Sequence, residues 1–115
     1  VNITSIGGAV PIPHLTPYCT GKFALSGFSE ALRIELAQHR IWVTTVLPGL
    51  MRTGSHLNAY FKGKNEQEFA WFAIINSLPP FSISAEQAAR SIIEAARERR
   101  PFVTLSLPAK ALRIL

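Results

Sequence analysis

The sequence predicts an α/β fold in which strand, helix, strand, helix and strand follow one another, with parallel strands joined by crossover helices. Three observations carry this. Residues 1–6, 41–47 and 102–107 are short runs rich in apolar and β-branched side chains. Between them lie two stretches with apolar residues at helical spacing. The residues with chemical potential fall just after strands or at helix starts, on the sheet edge where ligands sit in such folds.

In chain order, residues 1–6 read as the end of a buried strand. Gly7 and Gly8 break it, and Pro11, Pro13 and Pro17 keep the next segment extended. Thr16 suits a helix N-cap and Pro17 the first helical position. The helix is expected over 16–38. Leu25, Phe28, Leu32 and Leu36, joined by Ala24 and Ala31, form its apolar stripe, with Glu30 and Arg33 on the wetter side. Residues 41–47 read as a strand covered on both faces, ended by Pro48 and Gly49. Residues 50–83 are irregular, with one amphipathic helix expected near 66–76 that turns Phe69, Phe72 and Ile75 inward. Ser84 and Gln87 form a capping box. Ala88, Ala89, Ile92, Ile93 and Ala96 make the stripe that follows, and Pro101 lies past its end. Residues 102–107 make the third strand, and 108–115 begin another helix.

At 48% hydrophobic and 17% charged, the composition excludes a disordered segment. No apolar run approaches the roughly 18–20 residues of a membrane span. The first residues lack the charged start and apolar stretch of a signal peptide. Val1 reads as mid-strand, so the chain is expected to begin inside a longer polypeptide. The net charge of +5 then says little about the whole. The positive charges are scattered except for Arg97, Arg99 and Arg100, which suit a helix C-terminus. No cationic block is interleaved with exposed aromatics, which argues against nucleic-acid binding. Cys19 is the one cysteine, so no internal disulfide forms, which fits a reducing, cytoplasmic setting. It reads as a small buried thiol rather than a nucleophile. His39 and His56 show no paired ligand spacing, so no metal is expected.

Tyr18 and Lys22 stand out. Four residues apart at a helix start, they share one face, one turn from each other. A phenol, with an unperturbed pKa of about 10, transfers protons poorly at neutral pH. An ammonium about 4 Å away, at an effective dielectric near 20, favours a phenolate by roughly 4 kcal/mol. That brings a phenol toward general acid/base duty.

Asn2-Ile3-Thr4-Ser5, then Tyr18-x-x-x-Lys22, then Pro48-Gly49-x-x-x-Thr53 resemble the second half of the short-chain dehydrogenases/reductases. Residues 23–25 and 27–33 also resemble that family's central helix. The resemblance covers 1–53 by motif and 84–107 by pattern. It implies the carboxyl-side part of a doubly wound, Rossmann-like parallel sheet, here a single partial domain over 1–115. It also implies hydride transfer between NAD or NADP and a carbonyl or alcohol.

On that resemblance Tyr18 is the general acid/base on the substrate oxygen, and Ser5 hydrogen-bonds the same oxygen. Lys22 binds the nicotinamide ribose and favours the Tyr18 phenolate. Pro48 and Gly49 border the nicotinamide ring, and Thr53 contacts its carboxamide. Ser5, His14, Tyr18, Leu50 and Leu57 are the expected substrate neighbours. Residues 54–83 correspond to the family's substrate lid. Its apolar content (Leu57, Tyr60, Phe61, Phe69, Trp71, Phe72 and Leu78) hints at a lipophilic substrate, or serves only to pack the lid on the body. Family members pair through the helix at 16–38, so a homo-oligomer is expected. Phe23 and Ile34, which lie off the main stripe, await either that partner or the rest of the polypeptide.

The family's glycine-rich turn, the residue that chooses NAD or NADP, the Asn-Ala-Gly strand end and the catalytic asparagine are absent. The chain is therefore expected to carry the catalytic half and to be inactive alone. The main alternative is a catalytically silent binding or scaffold protein of the same fold. A Ser5–His14 hydrolase lacks a nucleophile-elbow pattern and an evident carboxylate. A basic nucleic-acid module, and a membrane-surface contact by Lys62 and Lys64 beside Tyr60 and Phe61, are further readings.

Overall fold

The computed structural model describes residues 1–53 and 82–114. The helix expected at 66–76, Leu57, and most of the 54–83 lid lie outside the described residues. Strand β1 (Asn2–Ile3) leads through a 3-10 turn (Ile6–Gly8) to helix α1 (Thr16–Ala37). Strand β2 (Thr45–Pro48) is followed by β3 (Leu50–Arg52). Strand β4 (Ser82–Ser84) precedes helix α2 (Ala85–Arg97), and β5 (Phe102–Leu105) leads into helix α3 (Leu107–Ile114). Strands β1, β2 and β5 form one parallel sheet with β2 in the middle. The fold class and the order of elements are those the sequence predicts. Strands β3 and β4 form a separate parallel pair that the sequence reading does not contain.

The middle strand β2 is buried at all four positions, as a strand covered on both faces must be. Val46, Ala88 and Leu105 form the core beside it, with Met51, Ile83, Ile92 and Val103 packed around them. The capping box forms: the Gln87 N–H donates to the Ser84 hydroxyl at 3.2 Å, and the Ser84 N–H to the Gln87 side chain at 3.3 Å. The stripe of α2 buries Ala88 and Ala95, whereas Ala89 and Ile93 are exposed.

The third strand, expected over 102–107, ends at Leu105, where Ser106 takes φ 77° and α3 begins at Leu107. Three further boundaries move, each for a local reason. The first strand ends early because the Ser5 hydroxyl accepts the Gly7 N–H at 3.1 Å and starts the 3-10 turn. The second begins at Thr45 rather than 41. The Ile41 N–H is still tied to the Leu36 carbonyl, and Arg40, at φ 58°, bonds back to Ala37, so α1 unwinds through residue 41 before the chain joins β1. Thr16 is the first helical residue rather than the cap. Leu15 holds the cap position without a side-chain bond, and Pro17 sits in the first turn.

The larger correction concerns α1. The apolar stripe faces inward only in part: Leu25, Leu32 and Leu36 are half-buried, but the rest of it is not. Phe28 is 57% exposed, and Ala24 and Ala31 are exposed as well. The residues buried against the body are Cys19 and Ser29. The Ser29 hydroxyl lies 2.6 Å from the Thr45 hydroxyl and accepts from the Asn2 amide at 3.0 Å, bridging a pair of residues in register on β1 and β2. Glu30, expected on the wetter side, is half-buried. It pairs with Arg33 and accepts from the Thr45 hydroxyl at 3.4 Å. A satisfied hydroxyl face can be buried as deeply as an apolar one. No described helix is long and apolar enough to cross a membrane.

Candidate active site

Parallel strands send their carboxyl ends to one edge of the sheet. Ser5 leaves β1 there, Pro48 and Gly49 leave β2, and α1 opens beside them. Ser5 is buried, and its hydroxyl caps the 3-10 turn through Gly7. That turn carries the tyrosine. A carbon added at Gly7 would lie 3.1 Å from Tyr18 Cε1 and 3.5 Å from Cys19 Sγ. Ser5 and Tyr18 thus both approach one residue, the hydroxyl accepting its N–H and the ring filling the space a side chain there would need. Tyr18 is half exposed, and the Lys22 Nζ stands 5.7 Å from its ring centroid. Such a cation–π contact is worth about 0.5–1 kcal/mol at an exposed site. The Tyr18 hydroxyl and the Lys22 ammonium meet no acceptor or donor among the described residues.

Thr4, which the sequence reading left without a role, ties the same two elements. It is buried, and its hydroxyl donates to the Lys22 carbonyl at 2.9 Å. A threonine beside the serine was visible in the sequence. Its partner 18 residues away was not.

Pro48 is buried at the end of β2. The Gly49 N–H donates to the Leu105 carbonyl at 3.2 Å. A Cβ at Gly49 would meet Ser106 Oγ and lie 2.8 Å from Ala109 Cβ, so only glycine lets the bend after β2 press against the start of α3. Leu50 is half-buried. Thr53 is exposed, its N–H bonded to Met51 and its hydroxyl without a partner among the described residues. His14 is exposed at φ 66° and makes no hydrogen bond to Ser5, so the two form no dyad. Cys19 is a buried thiol that accepts the Ile12 N–H at 3.4 Å. Among the described residues no cluster of His, Cys, Asp and Glu can hold a metal. A groove of about 740 Å³ between α2 and β5 includes none of Ser5, Tyr18 and Lys22.

The donor chemistry fits the ribose of a nicotinamide cofactor. An ammonium with three N–H groups and a phenol, neither hydrogen-bonded among the described residues, stand together beside a strand-end bend.

A parallel sheet crossed by helices, with strand order β1-β2-β5, is an α/β domain of the Rossmann-like type. The chain belongs to the short chain dehydrogenase family, whose model matches residues 1–62, more than half of its 115 residues. It is 37% identical over 118 residues to the putative oxidoreductase SadH of Mycobacterium tuberculosis, covering all of this chain and 42% of that protein. It is 29% identical over 114 residues to dehydrogenase/reductase SDR family member 7B of Bos taurus, covering 99% of this chain and 34% of that one. Over 54 residues it is 46% identical to 3-ketodihydrosphingosine reductase of Bacteroides thetaiotaomicron, covering 47% of this chain and 20% of that one. A crystal structure of a small-chain dehydrogenase in complex with NADPH superposes with a TM-score of 0.67 at 16% identity, covering 96% of this chain and 49% of that one. At that identity the likeness is one of fold. The chain spans less than half the length of each of these relatives.

Proposed function

We propose that the protein is an NAD(P)-dependent oxidoreductase that moves hydride between the nicotinamide cofactor and a carbonyl or alcohol substrate. The observation that carries this reading is the meeting of Ser5, Tyr18 and Lys22 around the Ser5–Gly7 turn. When bound, the nicotinamide supplies or accepts the hydride. Tyr18 gives its phenolic proton to the substrate oxygen in reduction and takes it back in oxidation. Ser5 accepts the Gly7 N–H but keeps its own O–H hydrogen, which donates to that oxygen and holds it in line. Lys22 donates to the ribose hydroxyls. Pro48, Gly49 and Thr53 border the nicotinamide, and Leu50 and His14 the substrate.

NAD and NADP both suit these residues, and the NADPH-bound neighbour supports use of a nicotinamide cofactor. A small lipophilic substrate is supported by the apolar residues of 54–80 and by the lipid named in the 3-ketodihydrosphingosine reductase relative. Pairing of two copies through α1 is supported by Phe23, Phe28 and Ile34, which are 43%, 57% and 67% exposed on that helix. The 115-residue chain alone is proposed to be inactive, because it holds no glycine-rich phosphate turn. A cytoplasmic setting is proposed from the lone, buried Cys19.

Tyr18→Phe in the complete protein tests the reading against a panel of lipophilic ketones and secondary alcohols. The ring packing on Gly7 survives, and the lost hydroxyl has no partner among the described residues, so folding and cofactor binding stay near normal. Turnover falls about 10²- to 10⁴-fold. Unchanged turnover refutes the role of Tyr18. Cofactor binding with no turnover in the unaltered protein favours the silent binding protein instead.

A further inference from the structure

Ser5 leaves the sheet, whereas Tyr18 and Lys22 ride on α1, so some contact has to set the height of the helix against the end of β1. Thr4 is that contact. It precedes Ser5, is 3% exposed, and its N–H is held by the Val46 carbonyl of β2 at 2.9 Å. From this fixed base its hydroxyl donates to the Lys22 carbonyl at 2.9 Å and lies 3.1 Å from the Ser26 hydroxyl. The Lys22 carbonyl sits inside the helix and already receives the N–H four residues on. The Thr4 bond is therefore not the repair of an orphaned group; it is a tie between elements. Gly8 closes over the same three atoms. A Cβ there would fall 2.5 Å from Thr4 Oγ1, 2.6 Å from the Lys22 carbonyl and 2.7 Å from Ser26 Oγ, so only glycine lets the chain pass this close to α1 where Thr4 bonds to it.

We propose that Thr4 is a positioning residue for the reaction: its bond to the Lys22 carbonyl sets the register of α1 on the sheet, and through it the alignment of the Ser5 hydroxyl with the Tyr18 phenol. The proposal rests on the roles given above to Ser5, Tyr18 and Lys22. Tyr18 and Lys22 share a helix and keep their mutual spacing whatever that helix does. Ser5 does not move with them. Without the Thr4 hydroxyl, the Asn2–Ser29 and Ser29–Thr45 bonds still hold the next turns of α1. The Ser26 hydroxyl can turn back to the Lys22 carbonyl, four residues earlier, so no buried polar group is stranded. Alignment is lost rather than the fold.

The test is a double-mutant cycle in the complete protein, reading kcat, KM and nicotinamide affinity for Thr4→Val, Thr4→Ser, Ser5→Ala and the Thr4→Val/Ser5→Ala pair. A misplacement near 1 Å costs about 100-fold, so Thr4→Val lowers kcat about 10- to 100-fold and leaves nicotinamide affinity within about threefold. Thr4→Ser, which keeps the hydroxyl, regains most of the rate. On Ser5→Ala, Thr4→Val has little further effect, because the group it aligns is gone. Wild-type kcat in Thr4→Val, losses that add with those of Ser5→Ala, or a loss of affinity larger than that of kcat overturns the proposal. If Thr4→Val fails to fold, Thr4→Cys, of similar size and a weak donor, carries the same expectations. Tyr18→Phe run alongside separates the two ideas. Normal turnover in it brings down the reading of the site, whereas a dead Tyr18→Phe beside a normal Thr4→Val brings down only the positioning role.

Discussion

Ser29→Ala probes why α1 turns hydroxyls toward the sheet. Ser29 and Thr45 are both 0% exposed, and their hydroxyls are 2.6 Å apart. The Asn2 amide donates to Ser29 at 3.0 Å. Alanine removes both bonds. Thr45 keeps only the long contact to the Glu30 carboxylate, at 3.4 Å, whereas half-buried Asn2 can turn to water. The lost buried bond is worth about 1 kcal/mol, and the poorly satisfied Thr45 hydroxyl adds about 1 kcal/mol of uncompensated desolvation. The expected loss is about 2 kcal/mol, approaching 30-fold in the ratio of folded to unfolded protein. Urea unfolding of the complete protein, followed by tryptophan fluorescence, reads it as a lower midpoint at unchanged slope. An unchanged or raised midpoint would mean that the hydroxyl bridge does not seat the helix, and the account of that face fails.

Lys22→Ala should weaken nicotinamide binding about 10- to 100-fold, as expected for loss of charge-assisted bonds, and should lower the rate as well. A fluorescence titration with normal affinity would remove Lys22 from the ribose. Ser84→Ala breaks the capping box of α2 and should lower stability by about 0.5–2 kcal/mol. Its turnover per folded molecule should match the unaltered protein, since Ser84 lies outside the Ser5–Tyr18–Lys22 group. A rate loss without a stability loss would show that α2 does more than support the sheet.

Legibility followed distance along the chain. The Ser84–Gln87 box closes over three residues and was readable from them alone. The Tyr18–Lys22 pairing follows from helical spacing, and the long helix from its apolar residues at that spacing and from Pro17 near its start. Strand boundaries were read less well, because Ser5 and Arg40 end or delay pairing through bonds that hydropathy does not register. The apolar residues of α1 misled for a related reason. Leu25, Phe28 and Leu32 mark a face that seeks cover, yet the residues that meet the body are Cys19 at Gly7 and Ile12, Ser26 at Thr4 and Ser29 at the strands. The β3–β4 pair was invisible because Arg52, which donates to the Ser82 carbonyl at 2.8 Å, reaches it across 30 residues.

By itself the sequence determined the order of strands and helices, the edge of the sheet where Ser5, Pro48 and Gly49 emerge, and the four-residue spacing of phenol and amine. These are properties of neighbouring residues obeying helical and strand periodicity. The tertiary structure alone decided which face of the long helix meets the sheet, and that Thr4 grips the Lys22 carbonyl under Gly8. Hydroxyls become a buried surface only when particular partners lie opposite them, and no pattern along one segment states what the other will bring.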